Sequence, residues 1–304
     1  MKIDWQGVFP AVTTQFNADL SINVADTQRV VDALIKDGVT GIIAMGTVGE
    51  NNSLLAEEKR ILLKAINEVV AKRVPVITGV SELTTPLAIA WAKDAEALGA
   101  DGLMLLPAMV YVPKIAELVE HFTQVANATT LPVMLYNNPN AYRVAITNEV
   151  LEALRPVTNI VAVKESTADT RRFTDLHNAF GDRYSIFAGL DDVAFEGLLL
   201  GAQGWVSGLT SAFPQESVML VKALQAGDFE TAREIYRWFM PLLHLDADHD
   251  LVQSIKLAEQ IMGRGSERVR MPRLPLTGAR RAEVTAMVEK AAATRPSLKI
   301  TKAA

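Results

Sequence analysis

The sequence predicts a (β/α)8 TIM barrel with a C-terminal α-helical extension, on three observations. Eight short runs rich in apolar and β-branched residues occur at 7–16, 41–46, 74–80, 102–107, 132–137, 160–166, 185–190 and 204–208. Most are continuously apolar, as in Val74-Pro75-Val76-Ile77-Thr78-Gly79-Val80, which is the pattern of parallel strands buried on both faces. Helical segments separate the runs, and nothing marks a dinucleotide loop or a topological switch, so eight strand–helix units in roughly 220 residues suit a closed barrel better than a doubly wound sheet.

The helices announce themselves by spacing and by caps. Ile61, Leu62, Ala65, Ile66 and Val69 recur at a 3.6-residue period with Lys59, Arg60, Lys64, Glu68 and Lys72 on the other side. Thr85 followed by Pro86 reads as an N-cap with proline at the first helical position, and Thr147 can cap the helix that holds Val150, Leu151 and Leu154. Beyond the eighth helix, helical patterns at 228–245, 251–262 and 279–293 predict a barrel domain over 1–225 and a helical extension over 226–304 packed on it. The tail from Arg295 is expected to fray.

Composition excludes several classes. With 304 residues, 49% hydrophobic and 21% charged, the chain can bury a large core, which rules out disorder, collagen and coiled coil. The net charge of −5 is the opposite of a nucleic-acid binder's basic footprint, so no nucleic-acid partner is expected. Absence of cysteine removes disulfides, thiolate nucleophiles and Cys-ligated metal, and fits a cytoplasmic location. Met1-Lys2-Ile3-Asp4-Trp5-Gln6 has no apolar signal core and no run approaches the roughly 18 apolar residues of a span, so a soluble, uncleaved chain without a membrane partner is expected.

In a barrel of this kind the site forms at the C-terminal ends of the strands. Lys164 follows four apolar residues in the sixth run, where desolvation lowers an amine's pKa and frees it to attack a carbonyl; the plainer reading is a lysine that snorkels out or pairs with Glu165. Tyr136, near the end of the fifth run in Leu135-Tyr136-Asn137-Asn138-Pro139, can move protons or simply pack as an aromatic. Gly46-Thr47-Val48-Gly49-Glu50 is a glycine-flanked turn whose amides can hold a carboxylate or phosphate, with an ordinary tight turn as the alternative. It matches neither Walker A nor Gly-x-Gly-x-x-Gly.

Other polar clusters carry less. Asp246-Ala247-Asp248-His249-Asp250 begins like a calcium loop, but Leu251 stands where glycine is needed and Leu257 where the bidentate Glu belongs, so it reads as a polar helix junction. His121, His177, His244 and His249 have no zinc spacing, and no metal is expected. Arg264, Arg268, Arg270 and Arg273 read as a solvated face or a subunit contact, and no Gly-x-Ser-x-Gly elbow supports a serine nucleophile.

Together, the turn at 46–50, the run ending Tyr136-Asn137-Asn138-Pro139 and Val163-Lys164-Glu165 resemble the dihydrodipicolinate synthase and N-acetylneuraminate lyase superfamily over roughly residues 5–295. The resemblance implies class I Schiff-base chemistry on a small-molecule 2-oxo acid or cyclic imine: Lys164 forms the imine, Tyr136, assisted by Thr47, relays protons, and the Thr47 and Val48 amides hold the carboxylate. Gly49, Asn138, Gly189, Ser207 and Gly208 are the further substrate-binding candidates, and a homotetramer (a dimer of dimers) without metal or organic cofactor is implied. The sequence departs from the synthases of that family at three points. Val48 replaces a second threonine. Val110 falls where they carry a tyrosine donated across a subunit interface, with Tyr111 one residue later. Arg143 lies two positions beyond their carboxylate-binding arginine.

Within the superfamily, Gly49-Glu50-Asn51-Asn52-Ser53, Tyr136-Asn137-Asn138-Pro139 and Trp238-Phe239-Met240-Pro241-Leu242-Leu243-His244 are most similar to the bacterial deaminases of hydroxyproline catabolism. That resemblance implies conversion of 1-pyrroline-4-hydroxy-2-carboxylate to 2-oxoglutarate semialdehyde and ammonia. The alternatives are an aldolase releasing pyruvate and an aldehyde from a 2-keto-3-deoxy sugar acid, and a non-catalytic 2-oxo-acid sensor.

Overall fold

The computed structural model describes residues 3–107, 111–296 and 298–299. Eight parallel strands, β1 (Gly7–Pro10), β2 (Ile42–Ala44), β3 (Val76–Val80), β4 (Gly102–Leu105), β5 (Val133–Asn137), β6 (Ile160–Glu165), β7 (Ser185–Ala188) and β8 (Gly204–Ser207), form one sheet in which each pairs with its neighbours in sequence and β1 pairs with β8. An isolated bridge between Ala11 and Ile43 brings β1 against β2, so the sheet closes into the expected (β/α)8 barrel.

The helices are α1 (Val24–Lys36), α2 (Ala56–Val70), α3 (Thr85–Ala97), α4 (Ile115–Asn127), α5 (Pro139–Tyr142), α6 (Asn148–Ala153), α7 (Arg171–Phe180), α8 (Ala194–Leu199), α9 (Pro214–Gln225), α10 (Phe229–Leu243), α11 (Leu251–Ile261) and α12 (Gly278–Ala293). The single-turn α5 is an insertion between β5 and the helix α6 that leads to β6. Thr147 caps α6 as expected, its side chain accepting from the Val150 amide, whereas α3 is capped one residue early, by Thr84. The apolar face of α2 is rotated from the sequence reading: Ile61 is exposed, and Lys59 is buried with its ammonium on Asn51 and Glu82.

Strand periodicity fills the barrel. Phe9, Ile43, Ile77, Met104, Met134, Ala162, Phe187 and Val206, one from each strand, form the inner core, and Trp5 packs on Gly102. Each fully buried large apolar side chain contributes about 1.5–3 kcal/mol. This packed layer is the floor of the site, because residues two positions further along a strand stand one layer higher on the same face.

The ladders are shorter than the apolar runs that predicted them. Residues 11–16 leave β1, and β2, β4, β7 and β8 also stop before their runs do, because these C-terminal ends turn into loops over the barrel mouth. Arg295, where fraying was expected, is held by Glu216 at 3.2 Å and lies over the Phe213 ring; residues 297 and 300–304 of that tail lie outside the described residues. Among the described residues no helix is long and apolar enough to cross a membrane.

Candidate active site

Alternation along β6 decides the fate of Lys164. Ala162 points into the barrel, so Lys164 does too, one layer above the core, while Glu165 turns outward to accept from Asn137 Nδ2 (2.8 Å) and the Thr167 amide (2.9 Å). Lys164 therefore neither snorkels out nor pairs with Glu165. Among the described residues its ammonium has no hydrogen-bond partner, and burial pushes its pKa below the usual lysine range, against the opposing pull of Asp246. A neutral amine is the nucleophilic form.

Tyr136 is the direct neighbour of Lys164 across the β5–β6 ladder, and Lys164 Nζ sits 4.0 Å from its ring centroid. Asn138 donates to the Tyr136 hydroxyl at 3.1 Å, and burial pushes that phenol up to about 12. At neutral pH Tyr136 is a proton donor positioned beside the amine.

The turn after β2 is built under strain. Met45 and Glu50 bracket it with left-handed φ values of 52° and 56°, which non-glycine residues hold only when their surroundings fix them. The fixings are buried: Asn51 Nδ2 donates to Met45 O at 2.7 Å, Thr14 Oγ1 donates to Gly49 O at 2.8 Å, and Lys256 Nζ lies 2.8 Å from Glu50 Oε1. Among the described residues the Thr47 and Val48 amides have no hydrogen-bond partner, so the turn presents free donors of the kind that receive a carboxylate. Thr47 Oγ1 is 2.6 Å from the Tyr142 hydroxyl.

These parts meet in one cleft of about 500 Å³ including its open mouth, lined by Thr47, Val48, Tyr136, Asn138, Lys164, Gly189 and Gly208 together with Tyr142, Asp246 and Leu251. Two glycines make the room. A Cβ at Gly189 would lie 2.2 Å from Ser166 Oγ and 2.6 Å from Lys164 Cγ, and one at Gly208 would lie 2.6 Å from Asp246 Oδ1. Gly189→Ala is expected to displace the lysine and slow imine formation at least about tenfold while overpacking costs about 1–3 kcal/mol; timed borohydride trapping with pyruvate checks it.

Other sequence-predicted candidates lie elsewhere. Ser207 and Gly49 are not among the cleft-lining residues: the Ser207 hydroxyl donates to Asp191 Oδ2, and Gly49 packs against Met45 and Val12. Asn140 and Arg143 are exposed. Tyr111 is exposed in a separate groove with Leu83 and His121, and Val110 lies outside the described residues. Two of the four clustered arginines are tied down, while Arg268 is exposed. Arg264 pairs with Asp37 and Arg270 with Glu58, fastening the segment before α12 to the barrel.

The sequence reading missed two groups. Asp246, taken as part of a polar junction, is a cleft wall facing Lys164; burial pushes its carboxyl up to about 6. Its neighbour Asp191, also raised by burial, accepts from Trp205 Nε1, Ser207 Oγ and the Leu209 amide. No local signal marks Asp246, because α10 and a turn of 3₁₀ helix carry it to the barrel mouth. Tyr142 was legible in principle: Asn138-Pro139 is a cap followed by proline, and the helical turn it starts ends on Tyr142.

A buried amine, a phenol, free turn amides and a carboxylate around one cleft are equipment for imine chemistry on a small acid, and relatives bear on it. The profile of the Dihydrodipicolinate synthetase family matches residues 4–291. The chain belongs to that family. It is therefore an enzyme of a class I lyase family. The 4-hydroxy-tetrahydrodipicolinate synthase 2 of Halalkalibacterium halodurans is 31% identical over 94% of this chain and 98% of its own. Among solved structures, the dihydrodipicolinate synthase DapA-2 of Bacillus anthracis superposes with a TM-score of 0.91 at 31% identity, covering 97% of this chain and 100% of that one. YagE, a prophage protein of the dihydrodipicolinic acid synthase family from E. coli K12 solved in complex with pyruvate, has a TM-score of 0.90 at 30% identity, covering 95% and 99%.

Proposed function

We propose that the enzyme opens 1-pyrroline-4-hydroxy-2-carboxylate on Lys164 and releases 2-oxoglutarate semialdehyde and ammonia. The observation that carries this reading is the make-up of the cleft lining: it includes the free Thr47 and Val48 amides for a single carboxylate, it includes the Asp246 carboxylate, and among the described residues no arginine lines it. A dicarboxylate would place a second anion in a lining that already holds the Asp246 carboxylate and, among the described residues, no arginine. A ring with one carboxylate, an imine nitrogen and a hydroxyl instead brings groups that donate to it.

Neutral Lys164 adds to C2, and the ring nitrogen leaves as a primary amine once protonated, giving a lysine imine and an open chain. Asp246, in the lining of the same cleft, is the carboxylate available to hold the released ammonium. Loss of a C3 proton and departure of the 4-hydroxyl as water, protonated by Tyr136, leave an unsaturated imine. Tautomerisation and hydrolysis at both carbon–nitrogen bonds free the lysine and expel ammonia, so one water is consumed overall. Ammonia from this substrate, lost in Lys164→Ala, supports the reading. Pyruvate from a 2-keto-3-deoxy sugar acid, with no ammonia from the pyrroline, would replace it with the aldolase alternative.

Asp246 also gives a pH prediction. Its charge raises the Lys164 pKa, so removing it in Asp246→Asn lowers that pKa further, and the acidic limb of imine formation with pyruvate is expected to move to lower pH. An unmoved limb in the trapping rate would separate Asp246 from the lysine.

We also propose a homotetramer built as a dimer of dimers. Its support is exposed apolar surface around one groove, at Leu83, Leu87, Tyr111, Val112 and Ile115. A sedimenting mass of one subunit would contradict it.

A further inference from the structure

We infer that Tyr142 and Thr47 form a proton relay contained within one subunit, which serves the lysine imine without a residue from a second copy of the chain. The inference rests on the imine chemistry and not on the choice of substrate.

Four observations carry it. The two hydroxyls are 2.6 Å apart, a short hydrogen bond in which either oxygen can donate. Both residues line the cleft that holds Lys164. The Tyr142 ring meets the Tyr136 ring edge-on at 5.6 Å, so the two phenols are neighbours in the wall of that cleft. Finally, the position of Tyr142 is specified: Asn138 Oδ1 accepts from the Ala141 amide to start α5, the same side chain donates to Tyr136, and Arg143 ends the turn at a left-handed φ of 58°. One asparagine thus sets both phenols.

Tyr142 is only partly buried as a residue, while its hydroxyl is turned inward on Thr47. The hydroxyl faces the cleft, so water in the open cleft mouth, and not the exposed part of the residue, is what exchanges a proton with it. In imine formation the carbinolamine hydroxyl must leave as water. Thr47 gives it a proton, Tyr142 refills Thr47, and solvent refills Tyr142; the carbon–oxygen bond breaks, the carbon–nitrogen double bond forms, and the net change is one solvent proton consumed and one water released. Burial pushes the Tyr142 phenol above its usual range, so it passes a proton on only as it receives one and does not rest as an anion.

The test uses pyruvate as probe and follows borohydride-trapped adduct on Lys164 against time. General acid–base help of this kind is worth about 10²–10⁴-fold. Tyr142→Phe, which keeps the ring and loses the hydroxyl, is expected to slow trapping at saturating pyruvate roughly a hundredfold or more, with the same final extent of adduct and an unchanged half-saturating pyruvate concentration. Thr47→Val is expected to slow it similarly, and the double variant no further, because two links of one relay fail together. Tyr111→Phe is expected to match the unaltered enzyme. Trapping by Tyr142→Phe at the unaltered rate overturns the proposal. So does a variant that loses only pyruvate affinity, which is what a purely structural hydroxyl would give. A loss in Tyr111→Phe equal to that in Tyr142→Phe would overturn the single-subunit part.

Discussion

Lys164→Ala is expected to lower turnover on the order of 10⁴-fold or more while leaving the fold intact. The buried amine is the group that joins covalently to substrate, and no other lysine lines the cleft among the described residues. Stability should hold or rise slightly, because a desolvated amine with no hydrogen-bond partner contributes little and costs free energy to bury. Steady-state kinetics beside a urea unfolding curve separates the two effects. Near-normal turnover in the variant would remove the Schiff base from the mechanism. Lys164→Arg should be equally inactive, since a guanidinium keeps its charge and cannot form the imine.

The second large effect is on stability. Lys256 and Glu50 are both fully buried, 2.8 Å apart, with Lys256 also donating to Thr14 O and Glu50 accepting from the Arg270 amide. Lys256→Met strands a carboxylate in the interior, and losing one partner of such a pair costs about 3–5 kcal/mol. Glu50→Gln added to Lys256→Met should recover part of that loss, because the stranded Glu50 charge is removed. Since Glu50 also ends the Thr47–Val48 turn in a left-handed conformation, surviving Lys256→Met protein should show a raised KM, the sign of a loosened carboxylate cradle, with kcat less affected. Urea midpoints for the single and double variants check the first part; equal midpoints for Lys256→Met and the unaltered enzyme would contradict it.

What could be read from the sequence follows from how locally each feature is specified. The barrel and the positions of Lys164 and Tyr136 were legible because strand alternation is local: an apolar run fixes which residues face inward, and a polar residue near its end lands at the mouth. The length of the strands was not, since residues 11–16 continue the run that predicted β1 yet leave the ladder. Lys59 was misplaced because its burial depends on Asn51 and Glu82, supplied by other parts of the chain. Asp246 fails for the same reason at longer range: it is a cleft residue only because α10 packs beside α9 and returns the chain to the ends of β7 and β8. A motif reading compares Asp246 with its neighbours in sequence, whereas its chemistry is set by burial and by Lys164, a residue distant in the chain.

The most direct test of the account is to reduce the working enzyme with borohydride in the presence of 1-pyrroline-4-hydroxy-2-carboxylate and map the adduct by peptide mass spectrometry. The account predicts a single five-carbon adduct, on Lys164. Turnover of that substrate without an adduct, or an adduct on a different lysine, would contradict it.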